Sequence, residues 1–274
     1  MASPRIAEKL QPAATPAALR ATARGKTKPT VSVVIAAYNE RQFIEEILRR
    51  VQGETLVDEI VIVDDGSKDG TREWLAEMHR RQQTGESEAE ILDGEARLRL
   101  STIRFLFQEK NQGKGAALRR GFAEARGDIL LVQDADLEYD PREYARLVDP
   151  ILDGRADVVY GSRFLGGPTR VHFFWHYVGN KFLTLLSDML TNLKITDMET
   201  CYKVFRREVI ASMKLKSDRF GFEPEITARV AKGRWRIYEV PISYAGRSYE
   251  EGKKITWRDG VTTLYAILRY RFFD

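Results

Sequence analysis

The fold is decided by the stretch Val31-Ser32-Val33-Val34-Ile35-Ala36-Ala37, an almost unbroken apolar run in a chain of 274 residues. A run so rich in β-branched residues is typical of a strand that is buried on both faces, as in a parallel sheet. Tyr38-Asn39-Glu40 follows it, and apolar residues then recur at helical spacing from Phe43 to Val51, with Asn39 as the expected helix cap. The stretch therefore predicts a buried strand, a polar turn and an amphipathic helix.

The same unit recurs along the chain. It is repeated as predicted strands over 59–63, 102–107 and 128–132 and as predicted helices through Trp74-Leu75-Met78 and over 115–125. Residues 81–98 are polar and rich in glutamate, and we expect them to form an exposed insertion. Strands that alternate with helices predict a doubly wound, mostly parallel α/β sheet flanked by helices, in which ligands bind beyond the carboxyl ends of the strands.

Polar clusters follow four of the predicted strands, at the edge where such sheets bind ligands. They are Ala37-Tyr38-Asn39-Glu40, Asp64-Asp65-Gly66-Ser67, Asn111-Gln112-Gly113-Lys114-Gly115 and Asp134-Ala135-Asp136. Asp64 and Asp65 are suited either to binding a base or ribose or to capping the next helix. Lys114 opens a helix, so it is suited either to holding an anion at the helix N-terminus or to lying solvated on a glycine turn.

Asp134 and Asp136 follow an apolar strand, and alternation along the strand sends both side chains to the same side. Two like charges held so close resist joint ionisation unless a cation lies between them. A hard divalent ion, Mg²⁺ or Mn²⁺, meets that need and usually brings a phosphate-bearing substrate. The pattern therefore indicates a metal–nucleotide site, although Asp-x-Asp also occurs in ordinary turns after strands.

Three charged residues further along the chain are candidates for substrate contacts. Arg163 follows a predicted strand that begins at 157, and its guanidinium is suited either to clamping a phosphate or to a surface salt bridge. Asp197 and Glu199 are suited to orienting an acceptor or a sugar, or only to capping a helix over 200–205.

The charge is distributed unevenly along the chain, although the net charge is only +4. Residues 1–30 contain six Lys and Arg residues and one acidic residue, and we expect them to form a mobile basic tail, with organellar targeting as the alternative. The rest of the chain is close to neutral, which argues against a nucleic-acid-binding protein. Cys201 is the single cysteine, which excludes an intrachain disulfide and fits a reducing compartment.

Together these motifs resemble the family 2 glycosyltransferases of the GT-A fold, and among them the dolichol-phosphate mannose synthases and bacterial polyprenyl-phosphate glycosyltransferases. Besides the four clusters, the resemblance includes Gly161-Ser162-Arg163, Asp197-Met198-Glu199-Thr200-Cys201-Tyr202-Lys203, Phe222-Glu223-Pro224-Glu225 and the run from Tyr244 to Ile255. It implies a GT-A domain over 31–245. An acceptor loop and a C-terminal amphipathic helix over 246–274 are expected to belong to the same domain.

The resemblance also implies roles for individual residues. Those expected to bind the nucleotide are Ala37, Tyr38, Glu40, Asp65, Lys114 and Asp134. Those expected to bind Mg²⁺ or Mn²⁺ are Asp134, Asp136 and Glu138. Those expected to meet the acceptor phosphate are Arg163, Arg247 and Lys253. The catalytic candidates are Asp136, Arg163 and Asp197, with Asp197 as the nearest candidate for a base.

The activity implied by the resemblance is a metal-dependent, inverting transfer of a hexose from UDP-glucose or GDP-mannose to polyprenyl or dolichyl phosphate. UDP-glucose is the preferred donor, because residues 197–203 resemble those of bacterial glucosyl-type relatives. A lipid-phosphate oxygen is already ionised near neutral pH, so it needs no general base. The alternatives are a glycosyltransferase that acts on a hydroxyl acceptor, and a non-catalytic nucleotide-sugar-binding protein.

Two segments have the composition of membrane-surface helices. Residues 171–190 begin with a cluster of aromatic residues and continue in an apolar pattern, and residues 257–273 mix aromatic residues with arginines. Helices of this kind lie in the headgroup plane, and the basic tail adds attraction to anionic lipid. We therefore expect peripheral association with the cytoplasmic face of the membrane, without a transmembrane span. The alternatives are helices packed on the sheet or at the interface of a homo-oligomer.

Overall fold

A seven-stranded sheet forms the centre of the computed structural model, which describes residues 28–171, 173–247 and 257–273. The strands are β1 (Val31–Ala37), β2 (Glu59–Asp64), β3 (Glu88–Ile91), β4 (Ala96–Arg99), β5 (Ile103–Phe107), β6 (Ile129–Asp134), β7 (Val158–Ser162), β8 (Lys203–Arg206) and β9 (Ile237–Pro241). The α-helices are α1 (Ile44–Gly53), α2 (Thr71–Gln83), α3 (Lys114–Glu124), α4 (Tyr144–Leu152), α5 (Phe174–Thr191), α6 (Arg207–Ala211), α7 (Phe222–Lys232) and α8 (Trp257–Phe272).

The central sheet is mostly parallel. Its order is β5-β2-β1-β6-β8-β7-β9, and β8 is the one described strand of this sheet that runs antiparallel to its neighbours. Val33 of β1 lies opposite Ile60 of β2 and Leu131 of β6, and all three side chains are buried. The predicted fold class, a mostly parallel α/β sheet flanked by helices, is therefore confirmed.

Three helices from the second half of the chain, α5, α7 and α8, pack against one another. Ala266 and Tyr270 of α8 form a small buried cluster with Ala228 of α7. The Tyr270 hydroxyl shares a 2.8 Å hydrogen bond with the hydroxyl of Ser217. No helix in the described part of the chain is long and apolar enough to cross a membrane.

Residues 203–206 form a strand rather than the helix predicted over 200–205. β8 lies between β6 and β7, where Val204 is opposite Leu131 on one side and Val159 on the other. Val204 is completely buried. The helix prediction is wrong because the facing edges of β6 and β7 present backbone groups that a strand can pair and a helix cannot.

The β3–β4 hairpin is packed against the protein, so the prediction of an exposed insertion over 81–98 is wrong for this part. Ile91 and Leu98 are buried, while the charged residues beside them point outwards. The side chain of Gln52 joins α1 to the hairpin, since it donates to the carbonyl of Arg99 at 2.7 Å and accepts from its N–H at 2.8 Å. The many charged residues of the hairpin occupy only one face of two alternating strands.

Asn39 connects two turns instead of capping α1. Its backbone has a φ of 53°, a left-handed conformation that asparagine adopts more readily than most residues. Its side-chain oxygen accepts a hydrogen bond from the N–H of Lys68 at 2.8 Å, and its own N–H donates to Ser67 Oγ at 3.0 Å. The N-cap residue of α1 is Phe43, which makes no side-chain cap. The cap prediction is therefore wrong, and Asn39 ties the turn after β1 to the turn after β2.

The close packing of α3 on the sheet is testable at Gly121. A Cβ atom at this position would lie 2.4 Å from Cγ1 of Val34 in β1. We therefore expect Gly121→Ala to lower the free energy of unfolding by about 1–3 kcal/mol, as overpacking does. Gly179 of α5 is the matched control, since a Cβ there meets no atom within 4 Å. Gly179→Ala is expected to be neutral or to stabilise by about 0.5–1 kcal/mol, and urea unfolding of both variants measures the difference.

Candidate active site

The turn after β2 is shaped by two adjacent carboxylates. Asp64 is fully buried, and its side chain accepts hydrogen bonds from the N–H groups of Gly66 and Ser67 and pairs with Arg72 Nη1 at 2.9 Å. Gly66 has a φ of +73°, and a Cβ there would lie 2.6 Å from the backbone nitrogen of Asn111. Asp64 therefore supports a glycine turn that lies directly against the turn after β5.

Asp65 holds that second turn in place. Its carboxylate accepts hydrogen bonds from Gln108 Nε2 at 2.6 Å, from Gln112 N–H at 2.7 Å and from Gly113 N–H at 2.7 Å. Burial raises the pKa of Asp65, and the two backbone donors partly offset that rise. In this arrangement Asp65 positions the residues that precede α3, and its predicted contact with the nucleotide stays a prediction.

Lys114 lies between two carboxylates of the protein, and its predicted contact with the nucleotide stays a prediction. Its Nζ lies 2.8 Å from Asp134 Oδ1 and 3.3 Å from Glu223 Oε1. Burial on its own lowers the pKa of Lys114, but Asp134, Glu223 and Cys201 together outweigh burial and raise the pKa well above its ordinary value. At the N-terminus of α3, the N–H of Ala116 already donates to the carbonyl of Asp218. Lys114 therefore balances the charge of Asp134.

Asp136 lies two residues beyond Asp134 and has its own cationic partner. Its Oδ2 is 2.8 Å from Arg247 Nη2, and its Oδ1 accepts a hydrogen bond from the N–H of Glu138. Burial raises the pKa of Asp136 to about 7, and the charges of Asp134 and Glu138 act in the same direction. Burial also tends to raise the pKa of Asp134, but Lys114 lowers it below its ordinary value. The two carboxylates are therefore held side by side by two cations.

Arg247 contacts three carboxylates and one aromatic ring. Its guanidinium nitrogens lie 3.3 Å from Glu40, 2.8 Å from Asp136 and 3.3 Å from Glu138. The guanidinium carbon is 5.4 Å from the centre of the Phe43 ring. Burial lowers the pKa of Arg247, but these carboxylates outweigh burial and raise it above its ordinary range. Arg247 thus connects the turn after β1 to the turn after β6.

Glu138 serves mainly to fasten the segment over residues 244–247. Its Oε2 accepts from the hydroxyl of Tyr244 at 2.7 Å, and its Oε1 accepts from the N–H of Arg247 at 2.8 Å. Its carbonyl accepts from the N–H of Ala245. We call residues 244–247 the closing segment, because they bring Arg247 over the Asp134–Asp136 pair.

The predicted metal ligands are Asp134, Asp136 and Glu138. Among the residues that the structure describes, no group of three or more His, Cys, Asp or Glu side chains converges as a metal site. Glu138, the predicted third ligand, is held by the closing segment, and its place at the metal stays a prediction. Mg²⁺ and Mn²⁺ are commonly held by one or two carboxylates together with water and substrate phosphates. Asp134 and Asp136 are therefore the residues suited to hold such an ion.

Arg163 and Asp197 form a buried, bidentate ion pair. Arg163 Nε is 2.6 Å from Asp197 Oδ2, and Arg163 Nη2 is 2.7 Å from Oδ1. Asp197 is completely buried, and the N–H of Arg163 also donates to it. The guanidinium carbon of Arg163 lies 5.1 Å from the centre of the Tyr244 ring. Asp197 therefore orients Arg163, and the pair reaches the closing segment through Tyr244.

Most of the predicted site residues lie in this one region. Contacts link Glu40, Asp136, Glu138 and Arg247 in one group, Lys114 and Asp134 in a second, and Arg163 and Asp197 in a third. Ala37 is buried at the end of β1, and Tyr38 next to it is half-buried. Lys253, residues 1–27 of the expected tail and residues 248–256 of the expected acceptor loop lie outside the described residues.

Three residues without a predicted role also belong to the site. Glu223 contacts Lys114, Tyr244 contacts Glu138, and the buried Cys201 thiol has a pKa raised by burial and by the charge of Asp134. All three occur in the motifs that carry the family resemblance. The sequence also offers a second signal for Glu223, because a carboxylate among the buried residues of the first turn of α7 needs a charged or hydrogen-bonding partner.

Comparison with known proteins gives several consistent matches. Residues 32–213 match the sequence profile of Glycosyl transferase family 2. The chain is 30% identical over 229 residues to dolichol-phosphate mannosyltransferase of Pyrococcus furiosus, with 81% of this chain and 58% of that protein covered. It is also 30% identical over 227 residues to undecaprenyl-phosphate 4-deoxy-4-formamido-L-arabinose transferase of Pseudomonas aeruginosa, with 81% and 60% covered. The chain thus spans about three fifths of the length of these two relatives.

A third relative is covered more fully. The chain is 30% identical over 239 residues to polyprenol monophosphomannose synthase of Mycolicibacterium smegmatis, with 85% of this chain and 81% of that protein covered. Among solved structures, glucosyl-3-phosphoglycerate synthase of Mycobacterium tuberculosis, in complex with Mn²⁺, UDP and glucosyl-3-phosphoglycerate, has a TM-score of 0.64 at 22% identity. The match covers 96% of this chain and 86% of that one, and it confirms the GT-A fold. With its family profile matched from β1 to beyond β8, the chain belongs to glycosyl transferase family 2.

Proposed function

We propose that this protein transfers a hexose from a nucleotide sugar to polyprenyl phosphate, with inversion at the anomeric carbon and with a bound divalent cation. The observation that carries the proposal is the placement of the Asp134–Asp136 pair next to Arg247, together with the Arg163–Asp197 pair, whose guanidinium lies against the ring of Tyr244 in the same segment as Arg247. Relatives named as sugar transferases to dolichol, undecaprenyl and polyprenol acceptors support the same reaction. UDP-glucose is the preferred donor, because of the resemblance over residues 197–203.

The donor diphosphate is proposed to bind at Asp134 and Asp136. A Mg²⁺ or Mn²⁺ ion held by these residues would supply Lewis-acid stabilisation to the leaving nucleoside diphosphate. Lys114 and Arg247 hold the two carboxylates in position and place positive charge where a diphosphate needs it. The residues proposed to contact the nucleoside lie at the end of β1 and on the turns after β1 and β2, and are Ala37, Tyr38, Glu40 and Asp65.

The acceptor phosphate is proposed to bind Arg163 and Arg247, with Lys253 as a further contact. An ionised phosphate oxygen forms the new bond to the anomeric carbon as the bond to the diphosphate breaks, so single displacement inverts the configuration. A hydroxyl acceptor would instead need a base. Asp197 is the nearest candidate, but both of its oxygens are bound by Arg163. This arrangement favours a phosphate acceptor over a hydroxyl acceptor.

Asp136→Ala tests the metal-binding role. Losing one of the two carboxylates that would hold the cation is expected to lower the transfer rate by at least about 100-fold. The rate is measured as UDP release from UDP-glucose with polyprenyl phosphate and Mn²⁺, and circular dichroism checks that the variant is folded. Asp149→Asn is the control, since Asp149 is exposed on α4 and is expected to keep the wild-type rate. Wild-type turnover by Asp136→Ala would remove the metal-site assignment.

Asp197→Asn tests whether Asp197 positions Arg163. The change leaves Arg163 buried without its charge partner, so we expect the free energy of unfolding to fall by about 3 kcal/mol. We also expect KM for polyprenyl phosphate to rise more than KM for the donor. Asp153→Asn is the control, because Asp153 and Arg155 form an exposed pair whose loss should not measurably change stability. A stable Asp197→Asn protein with an unchanged acceptor KM would contradict this role.

A lipid acceptor also requires a surface, and α5 and α8 offer one. Their outward apolar residues recur at helical spacing and include Trp175, Phe182, Leu185 and Met189 in α5 and Val261, Tyr265, Leu268 and Phe272 in α8. Trp175 is 77% exposed and Met189 is 72% exposed. Arg269 and Arg271 are exposed near the end of α8, where they can meet anionic headgroups. We propose that this face lies on the membrane surface.

Flotation with vesicles tests this surface. The wild-type protein is expected to float with vesicles that contain phosphatidylglycerol. The double variant Trp175→Ser/Phe182→Ser is expected to lose most of that binding, because it removes apolar side chains that would insert into the membrane surface. Leu152→Ser is the control, since Leu152 is an exposed leucine at the end of α4. Wild-type protein that stays in the soluble fraction would contradict the proposal. If the double variant instead dissociates a dimer in light scattering, the face belongs to a homo-oligomer.

A further inference from the structure

Three buried oxygens near the Lys114–Glu223 contact have no hydrogen-bond donor among the described residues. They are Glu199 Oε1, Thr200 Oγ1 and Glu223 Oε2. Thr200 is completely buried, and Glu223 is 4% exposed. Folded proteins pair nearly all buried polar atoms, because a buried acceptor without a donor is costly. Unpaired acceptors grouped in one region therefore indicate a ligand that donates hydrogen bonds.

The residues that carry these oxygens lie between the proposed diphosphate site and the proposed acceptor-phosphate site. The other carboxylate oxygen of Glu223 is 3.3 Å from Lys114 Nζ, which is itself 2.8 Å from Asp134. Glu199 and Thr200 follow closely after Asp197, which holds Arg163. One end of the group therefore touches the proposed diphosphate site, and the other adjoins the proposed acceptor arginine. The sugar that passes from one to the other must lie between them.

The nearby Lys203 does not account for Glu199. Lys203 is buried, and its Nζ donates to the carbonyl of Met198 at 2.9 Å and to the carbonyl of Thr200. These bonds fix the backbone of the segment and leave Glu199 Oε1 unpaired. Burial raises the pKa of Glu199 to about 8, and the charge of Glu223 adds to that rise. A carboxyl group that keeps its proton near neutral pH both donates and accepts hydrogen bonds, as sugar hydroxyls do.

We propose that Glu199, Thr200 and Glu223 form the hexose subsite of the donor, with Glu199 as its specificity-determining residue. This assignment rests on the proposed function, since it supposes a nucleotide sugar at Asp134 and Asp136. Vicinal hydroxyls of the hexose donate to the three unpaired oxygens, and the protonated Glu199 donates to a sugar oxygen. Binding of the sugar thus supplies hydrogen-bond partners to these three oxygens.

Glu199→Leu and Glu199→Gln provide the test, in the full chain with Mn²⁺ present. Calorimetry gives Kd for UDP, UDP-glucose, GDP and GDP-mannose. For the donor that the wild-type protein binds, Glu199→Leu is expected to raise Kd for the nucleotide sugar about tenfold or more. A change of this size corresponds to the loss of one hydrogen bond to a charged or strongly polar group. Kd for the matching nucleoside diphosphate is expected to stay within about twofold, and Glu199→Gln should retain part of the sugar binding because its amide donates and accepts.

Thermal unfolding without ligand provides a second readout. If Glu199 serves the sugar, removing its unpaired oxygen leaves the melting temperature of Glu199→Leu unchanged or higher. Glu225→Gln is the matched control from the same region, because Glu225 is a buried carboxylate paired with Arg229 and with the N–H groups of Lys216 and Ser217. That variant is expected to melt at a lower temperature without any loss specific to the sugar.

The outcomes separate this inference from the proposed function. A wild-type protein that binds neither nucleotide sugar overturns both. If the wild-type protein binds a nucleotide sugar but Glu199→Leu weakens nucleotide and nucleotide sugar equally, or weakens neither, the hexose subsite is overturned and the proposed function stands. A lower melting temperature of Glu199→Leu together with an equal loss for both ligands assigns Glu199 to the stability of the fold.

Discussion

The need to balance negative charge at one edge of the sheet governs much of this structure. Glu40, Asp134, Asp136 and Glu138 are gathered there by the turns after β1 and β6, and burial of like charges opposes their joint ionisation. Arg247 contacts three of these carboxylates, and Lys114 contacts the fourth. The two cations come from opposite parts of the chain, so closing the site is a long-range event in folding.

This balance links the folded state to ligand binding. In the proposed function, the cations that hold the carboxylates would also meet the metal–diphosphate ligand. Binding would then exchange partners among charges that are already in place, which would limit the reorganisation that a charged ligand otherwise requires. The closing segment takes part directly, because Tyr244 and Arg247 both depend on Glu138 for their position.

Sequence patterns predict the sheet well where the signal is local. β1, β2 and β6 are mostly apolar because both of their faces are buried, so each strand can be predicted without knowledge of its neighbours. β8 is different, since residues 203–206 become a strand only through the two edges that they join. In the site, the strand ends predict that Asp134 and Asp136 lie together. The contact of Arg247 with Asp136 spans 111 positions along the chain, and no local pattern encodes it.

The direction of β8 has a consequence for how this architecture can diversify. β7 ends and β8 begins at the same place, where Arg163 grips Asp197 and the hydroxyls of Ser162 and Thr196 meet at 2.5 Å. The described residues between 164 and 195, including α5, lie outside the central sheet. The Arg163–Asp197 pair and the Ser162–Thr196 hydrogen bond fasten both ends of this segment at the same edge of the sheet. Its length and composition can therefore vary without disturbing the pairing of β7 with β8.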